Sequence, residues 1–69
     1  MTPQQRQEMA RRIFIYLDVA QTANTSYIAD ALEADVLEVQ DALIELDDSG
    51  DLLMRNGIYR LSEARRLKI

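Results

Sequence analysis

Residues 35–51 constrain the fold most, because the apolar period changes once within them and a glycine marks the place. Val39, Ala42, Leu43 and Leu46 fall at i, i+3, i+4 and i+7, the stripe of a helix with one face buried. Asp35 can cap its start by accepting a backbone N–H, and Gly50 can take the left-handed conformation that ends such a helix. Beyond Gly50 the period drops to two. The runs 51–55 and 58–61 flank Asn56-Gly57, a pair suited to the type I′ hairpin turn, which needs positive φ at both central residues. A two-residue loop sets the register: Arg55 opposite Ile58, Met54 opposite Tyr59, Leu53 opposite Arg60, Leu52 opposite Leu61. Cross-strand partners share a face, so Leu52, Met54, Tyr59 and Leu61 are predicted to be buried. Leu53, Arg55, Ile58 and Arg60 then form the outer side.

The chain before this stretch reads as two helices. Thr2 as cap, Pro3 at the first helical position and Gln5 completing a capping box start the first. The stripe Met9, Ile13, Tyr16, Leu17, Ala20 carries it over 3–20, and polar residues 21–24 end it. A cap at Thr25 and the apolar residues Ile28, Ala29 and Leu32 predict a short helix over 26–33. Only Ala34 separates it from the cap of the third helix, 36–49, so the two must cross steeply. Leu43 and Leu46 are expected where the three helices meet. Residues 62–69 read as a last turn capped by Ser62, or as a basic tail with Leu67 and Ile69 against the core.

Sixty-nine residues predict one domain, 1–69, near the size where a single core is only just sufficient. With no cysteine, neither a disulfide nor a thiolate metal site supplements that core, and the composition fits a reducing cytoplasm. No apolar run approaches the roughly 20 residues of a membrane span, and no signal-peptide layout is present. The net charge of −4 argues against bulk attraction to nucleic acid or anionic lipid. The charge is also segregated. Residues 30–51 hold nine carboxylates (Asp30, Glu33, Asp35, Glu38, Asp41, Glu45, Asp47, Asp48, Asp51) and no Lys or Arg. All eight basic residues lie outside, as Arg6, Arg11 and Arg12, and as Arg55, Arg60, Arg65, Arg66 and Lys68.

Three helices followed by a β-hairpin resemble a winged helix-turn-helix domain over nearly the whole chain. Ile28-Ala29 is similar to the buried aliphatic and small residue of the helix-turn-helix pattern, and Leu32, Ala34, Val39 and Ala42 match its further apolar positions. Leu43–Leu46 with Gly50-Asp51-Leu52 resembles the end of the family's recognition helix and its approach to the wing. The resemblance implies a mainly α fold of three helices plus a two-stranded wing. It departs at the turn, where the family usually has glycine and this chain has Glu33, so that the residue must tolerate strain or the bend must differ. The family's base-contacting positions map onto Asp35, Val36, Leu37, Gln40, Asp41 and Ile44. The fold serves both DNA readout and protein interaction, so function must come from the residues themselves.

Without His or Cys the usual nucleophile–base pairs and zinc sites are missing, so no enzymatic activity, metal or cofactor is expected. The carboxylate pairs Asp41/Glu45 and Glu38/Asp41 are expected on a helix surface with no apolar pocket around them, which does not suit general acid–base work. The loop 47–51 lacks the alternating ligands and distal glutamate of a calcium loop. Of the mapped positions only Gln40 has a common base-reading role, to adenine, and the carboxylates repel phosphate. DNA contact is left to Arg55 and Arg60 of the wing and to Arg6, Arg11 or Arg12 of the first helix. Like charges three or four apart each cost a helix about 0.2–0.5 kcal/mol, and Asp47 and Asp48 oppose its dipole, so stability alone does not account for the run. Leu37, Asp41, Ile44 and Asp48 share the side opposite the buried stripe. The sequence therefore predicts a regulatory protein docking a basic partner, or a second copy of itself, through Leu37, Glu38, Asp41, Ile44, Glu45 and Asp48. Its alternatives are a small transcription regulator using Gln40, Arg55, Arg60, Arg11 and Arg12 on DNA, and an acidic DNA mimic that occupies another protein's nucleic-acid groove.

Overall fold

The first helix, α1, spans Pro3–Ala20 in the computed structural model, which describes residues 2–63. Its start is the expected capping box: the Gln5 N–H donates to Thr2 Oγ1 (3.1 Å), and the Thr2 N–H donates to Gln5 Oε1 (3.0 Å). Met9, Ile13 and Leu17, spaced by four, are buried, with Phe14 and Tyr16 packed beside them. Ala20, expected on this stripe, is exposed, because the helix ends in the next residue. Gln21 takes φ 74° and ψ −56° while its N–H donates to Leu17 O, a strained turn that redirects the chain.

A strand follows that sequence periodicity did not reveal. Thr22–Asn24, read there as a polar connection, forms β1 and pairs antiparallel with the second hairpin strand, Thr22 opposite Arg60 and Asn24 opposite Ile58. The strand has only three residues and one apolar side chain, Ala23, so alternation had nothing to show. The two-stranded wing is thus part of a three-stranded sheet. The second helix, α2, spans Thr25–Leu32, and its cap is Asn24 rather than Thr25: the Asn24 Oδ1 accepts the Tyr27 N–H at 2.8 Å. Ile28, Ala29 and Leu32 are buried as expected.

Glu33, predicted as the last residue of this helix, lies outside it in the left-handed conformation, at φ 53° and ψ 43°. Its N–H donates to Asp30 O and that of Ala34 to Ala29 O, the hydrogen bonds of a glycine-type helix end made by a glutamate. The turn therefore keeps its bend and carries strain of about 1–2 kcal/mol. Arg12 of α1 supports it, since its guanidinium donates to the Leu32 carbonyl.

The third helix, α3, spans Val36–Asp48, one residue shorter than predicted. The Asp35 carboxylate caps it, accepting from Leu37 N (2.8 Å) and Glu38 N (3.4 Å). Gly50, at φ 87°, ends it: its N–H donates to Asp47 O, and the Asp51 N–H donates to Leu46 O. The hairpin strands β2 (Leu52–Arg55) and β3 (Ile58–Leu61) have the predicted register, with Asn56 at φ 54° and Gly57 at φ 79° in the turn. Strand order is β1-β3-β2, so β3 is central and β2 lies at the edge.

Ile13, Leu17, Ile28, Val39, Leu43 and Leu52 are fully buried and form the centre of the core. Leu52, Tyr59 and Leu61 close it from the sheet side. Two core expectations need correction. Met54 shares their face but is 49% exposed, because it sits on the edge strand next to the turn and none of the described residues covers it. Leu46 is only partly buried; it borders a groove between α1 and α3 instead of the point where the helices meet. Ser62 is buried and its N–H donates to Asp51 O at 3.0 Å, which fastens the end of β3 to the start of the hairpin. The alternatives for residues 62–69 concern mainly 64–69, which lie outside the described residues.

Candidate interaction surfaces

Two faces of the molecule point away from the core and carry opposite charge. The first is the outer stripe of α3. Leu37, Asp41, Ile44 and Asp48 recur every three or four residues opposite the buried Val39, Ala42 and Leu43, so they form one line. Leu37 is 68% and Ile44 47% exposed. Glu38 and Glu45 occupy the flank towards α1, and Gln40 is exposed on the other flank. Glu45 pairs with Arg6 of α1 at 2.8 Å, both side chains about half exposed, so part of its charge is used within the fold. The predicted protein-contact residues are thereby divided: four on the line, two beside α1.

The second face is the outer side of the sheet. The register places Thr22, Arg60 and Leu53 in one row across three strands, and Asn24, Ile58 and Arg55 in the next. Arg55 and Arg60 are diagonal neighbours about 8 Å apart on this grid, from the rise along a strand and the spacing between strands. Leu53 and Ile58 between them are 42% and 40% exposed. Strand alternation already assigned these four residues to one side. Thr22 was missed, because β1 reveals itself only through pairing with a strand far along the chain.

The arginines of α1 do not join this group. Arg11 lies nearly half a turn from the buried Met9–Ile13–Leu17 stripe and faces solvent. Arg12 is held at the Leu32 carbonyl and Arg6 at Glu45. Arg11, Arg55 and Arg60 have no ion-pair or hydrogen-bond partner among the described residues. Of the predicted DNA contacts, only Arg55 and Arg60 come together. Gln40 belongs to the acidic helix.

An open groove of about 520 Å³ separates α1 from α3, lined by Pro3, Arg6, Gln7 and Ala10 on one side and Ala42, Glu45, Leu46 and Ser49 on the other. It brings together no acid–base pair suited to catalysis. Among the described residues no three His, Cys, Asp or Glu side chains are placed to hold a metal ion. The Asp47–Asp51 loop is a helix end in which Ser49 Oγ donates to Leu46 O and to Asp51 Oδ2. Among the described residues a marked titration effect is at Tyr59: burial first, and the Asp47 carboxylate second, push its phenol above the usual value. No helix of the described residues is long and apolar enough to cross a membrane.

No protein-family profile and no curated protein sequence matches the chain. Solved structures do. The Zalpha domain of ORF112 from cyprinid herpesvirus 3, a structure of its binding to Z-DNA, superposes with a TM-score of 0.76 at 28% identity, over 80% of this chain and 93% of that one. The Zalpha domain of PKZ from Carassius auratus, in complex with Z-DNA, superposes with a TM-score of 0.78 at 22% identity, over 81% and 95%. PigF with SAH gives a TM-score of 0.62 at 26% identity; it covers 96% of this chain but only 24% of the larger protein. Zalpha domains are winged-helix domains. Three helices, the sharp turn at Glu33 and the antiparallel hairpin give this chain the winged helix-turn-helix fold.

Proposed function

We propose that the chain is a non-enzymatic winged-helix binding module that contacts a nucleic-acid duplex through the outer face of its sheet. The observation that carries this is the pair Arg55 and Arg60, without a partner among the described residues and adjacent on a sheet whose fold matches domains seen with Z-DNA. Arg55 and Arg60 meet phosphates, Thr22 adds a hydroxyl donor, and α3 stays out of the groove. A duplex presents one negative charge per about 1.7 Å of axis, which the carboxylates of α3 repel. Phosphate contacts of this kind position a protein without reading sequence. The left-handed duplex is the first ligand to try, and a right-handed duplex of the same composition is its control. Fluorescence anisotropy at low salt should show binding that Arg55→Gln with Arg60→Gln abolishes. The logarithm of the binding constant should fall with that of salt with a slope of about −2, for two phosphates neutralised. No binding at low salt, or binding indifferent to both arginines, would end this reading.

A second reading is favoured by one observation. Leu37 and Ile44 are large aliphatics left open between carboxylates on a helix without a cation. Such a surface suits a basic protein partner, with the aliphatics as the desolvated contact and the carboxylates setting orientation. Leu37→Ala with Ile44→Ala, and separately Asp41→Asn with Asp48→Asn, should keep the fold by circular dichroism and lose that partner. Asp48 is a better choice than Glu45, whose loss also breaks the pair with Arg6.

A further inference from the structure

The acidic face and the arginine face complement one another, and one molecule cannot bring them together. The α3 stripe alternates aliphatic and acid: Leu37, Asp41, Ile44, Asp48. Neighbours along it are about 5–6 Å apart, at 1.5 Å rise per residue. On the sheet, Leu53 lies opposite Arg60 and Ile58 opposite Arg55, aliphatic beside cation at about 5–7 Å. Both faces therefore set apolar groups beside charged ones at about 5–7 Å, in a line on α3 and in a two-by-two block on the sheet, with opposite sign. Both point outward from a common core, since Val39, Ala42 and Leu43 hold the far side of α3 and Leu52, Tyr59 and Leu61 the far side of the sheet.

We propose that the partner of the α3 stripe is the outer sheet face of a second copy of this chain. The inference rests on the reading of α3 as a docking surface and names its occupant. Leu37 and Ile44 of one copy pack on Leu53 and Ile58 of the next, while Asp41 and Asp48 meet Arg60 and Arg55. Different patches meet, so the contact is head to tail, and a pair still offers one free face of each kind, one on each copy. The patch is short, about 16 Å along α3 against three strands at about 4.8 Å spacing, so association is weak, reversible and driven by concentration. Paired arginines are withdrawn from phosphate. Self-association and duplex binding therefore compete for Arg55 and Arg60.

A head-to-tail contact can be divided between two variants. Asp41→Arg disables only the α3 face and Arg55→Asp only the sheet face. The two altered faces also repel one another, since the change at 41 sets a cation against Arg60 and the change at 55 sets an anion against Asp48. Both positions are exposed, and circular dichroism checks that each variant folds. Sedimentation velocity of the wild type, from micromolar to millimolar concentration, should show a mass that grows at low salt and falls back at high salt. Each variant alone should remain a monomer, a loss of tenfold or more in association constant. Mixed together, they should form a one-to-one dimer that grows no further, because one wild-type interface forms and both ends are capped. A wild type monomeric throughout, variants that still associate, or a mixture that stays monomeric would each overturn the proposal. A wild type that is monomeric alone yet binds duplex through Arg55 and Arg60 would overturn self-docking and leave the nucleic-acid reading standing. Self-association with no duplex binding would do the reverse.

Discussion

Glu33 carries a local cost that can be assigned to one residue. The turn between α2 and α3 needs a left-handed residue, and a side chain there costs about 1–2 kcal/mol against glycine. Glu33→Gly should therefore stabilise the fold by about 1 kcal/mol, seen as a raised urea midpoint, after allowing for the extra freedom glycine has in the unfolded chain. A lowered midpoint would mean that the Glu33 side chain contributes a contact outweighing its strain. Tyr59 supplies a second prediction at this scale. Its folded pKa is raised above the ordinary 10.0, so the neutral phenol is favoured by folding. That contribution is fully present below pH 10 and is lost as pH rises through the higher folded value. Tyrosinate absorbance should show one tyrosine titrating late, Tyr59→Phe should remove it, and Asp47→Asn should bring it partly back. Three tyrosines titrating together would contradict the placement of Tyr59.

At the scale of elements, what was legible followed from local chemistry. Thr2-Pro3 and Asp35 are caps whose partners lie within three residues, and Asn56-Gly57 sets its own turn, so α1, α3 and the register of β2 with β3 could all be read. What depended on distant residues could not. β1 exists because β3 offers it an edge, Asn24 displaces Thr25 as the cap of α2 at the end of that strand, and Met54 stays open because the edge strand has no cover. The same division holds for the surfaces. Alternation put Arg55 and Arg60 on one side, whereas the ties of Arg6 to Glu45 and Arg12 to Leu32 appear only once the helices pack. Burial also separates two leucines that periodicity had treated alike. Leu43→Ala should cost about 2–5 kcal/mol, and Leu46→Ala clearly less, because Leu46 already borders an open groove. Equal losses in urea unfolding would show that the α1–α3 groove closes in solution.

For the whole molecule, the central feature is the separation of charge across the winged-helix frame. The third helix is acidic, and two arginines without a partner among the described residues, Arg55 and Arg60, sit together on the outer face of the sheet. On the proposed reading a duplex is held from the sheet side, and α3 is left for protein contact. The map of backbone amide shifts on titration with duplex tests this most directly, because it locates the contact without altering the chain. Shifts concentrated at Thr22, Leu53, Arg55, Ile58 and Arg60, with Leu37, Asp41 and Ile44 unmoved, are the predicted result. Shifts running along Val36–Asp48 with the sheet unmoved would contradict the account and return DNA recognition to α3.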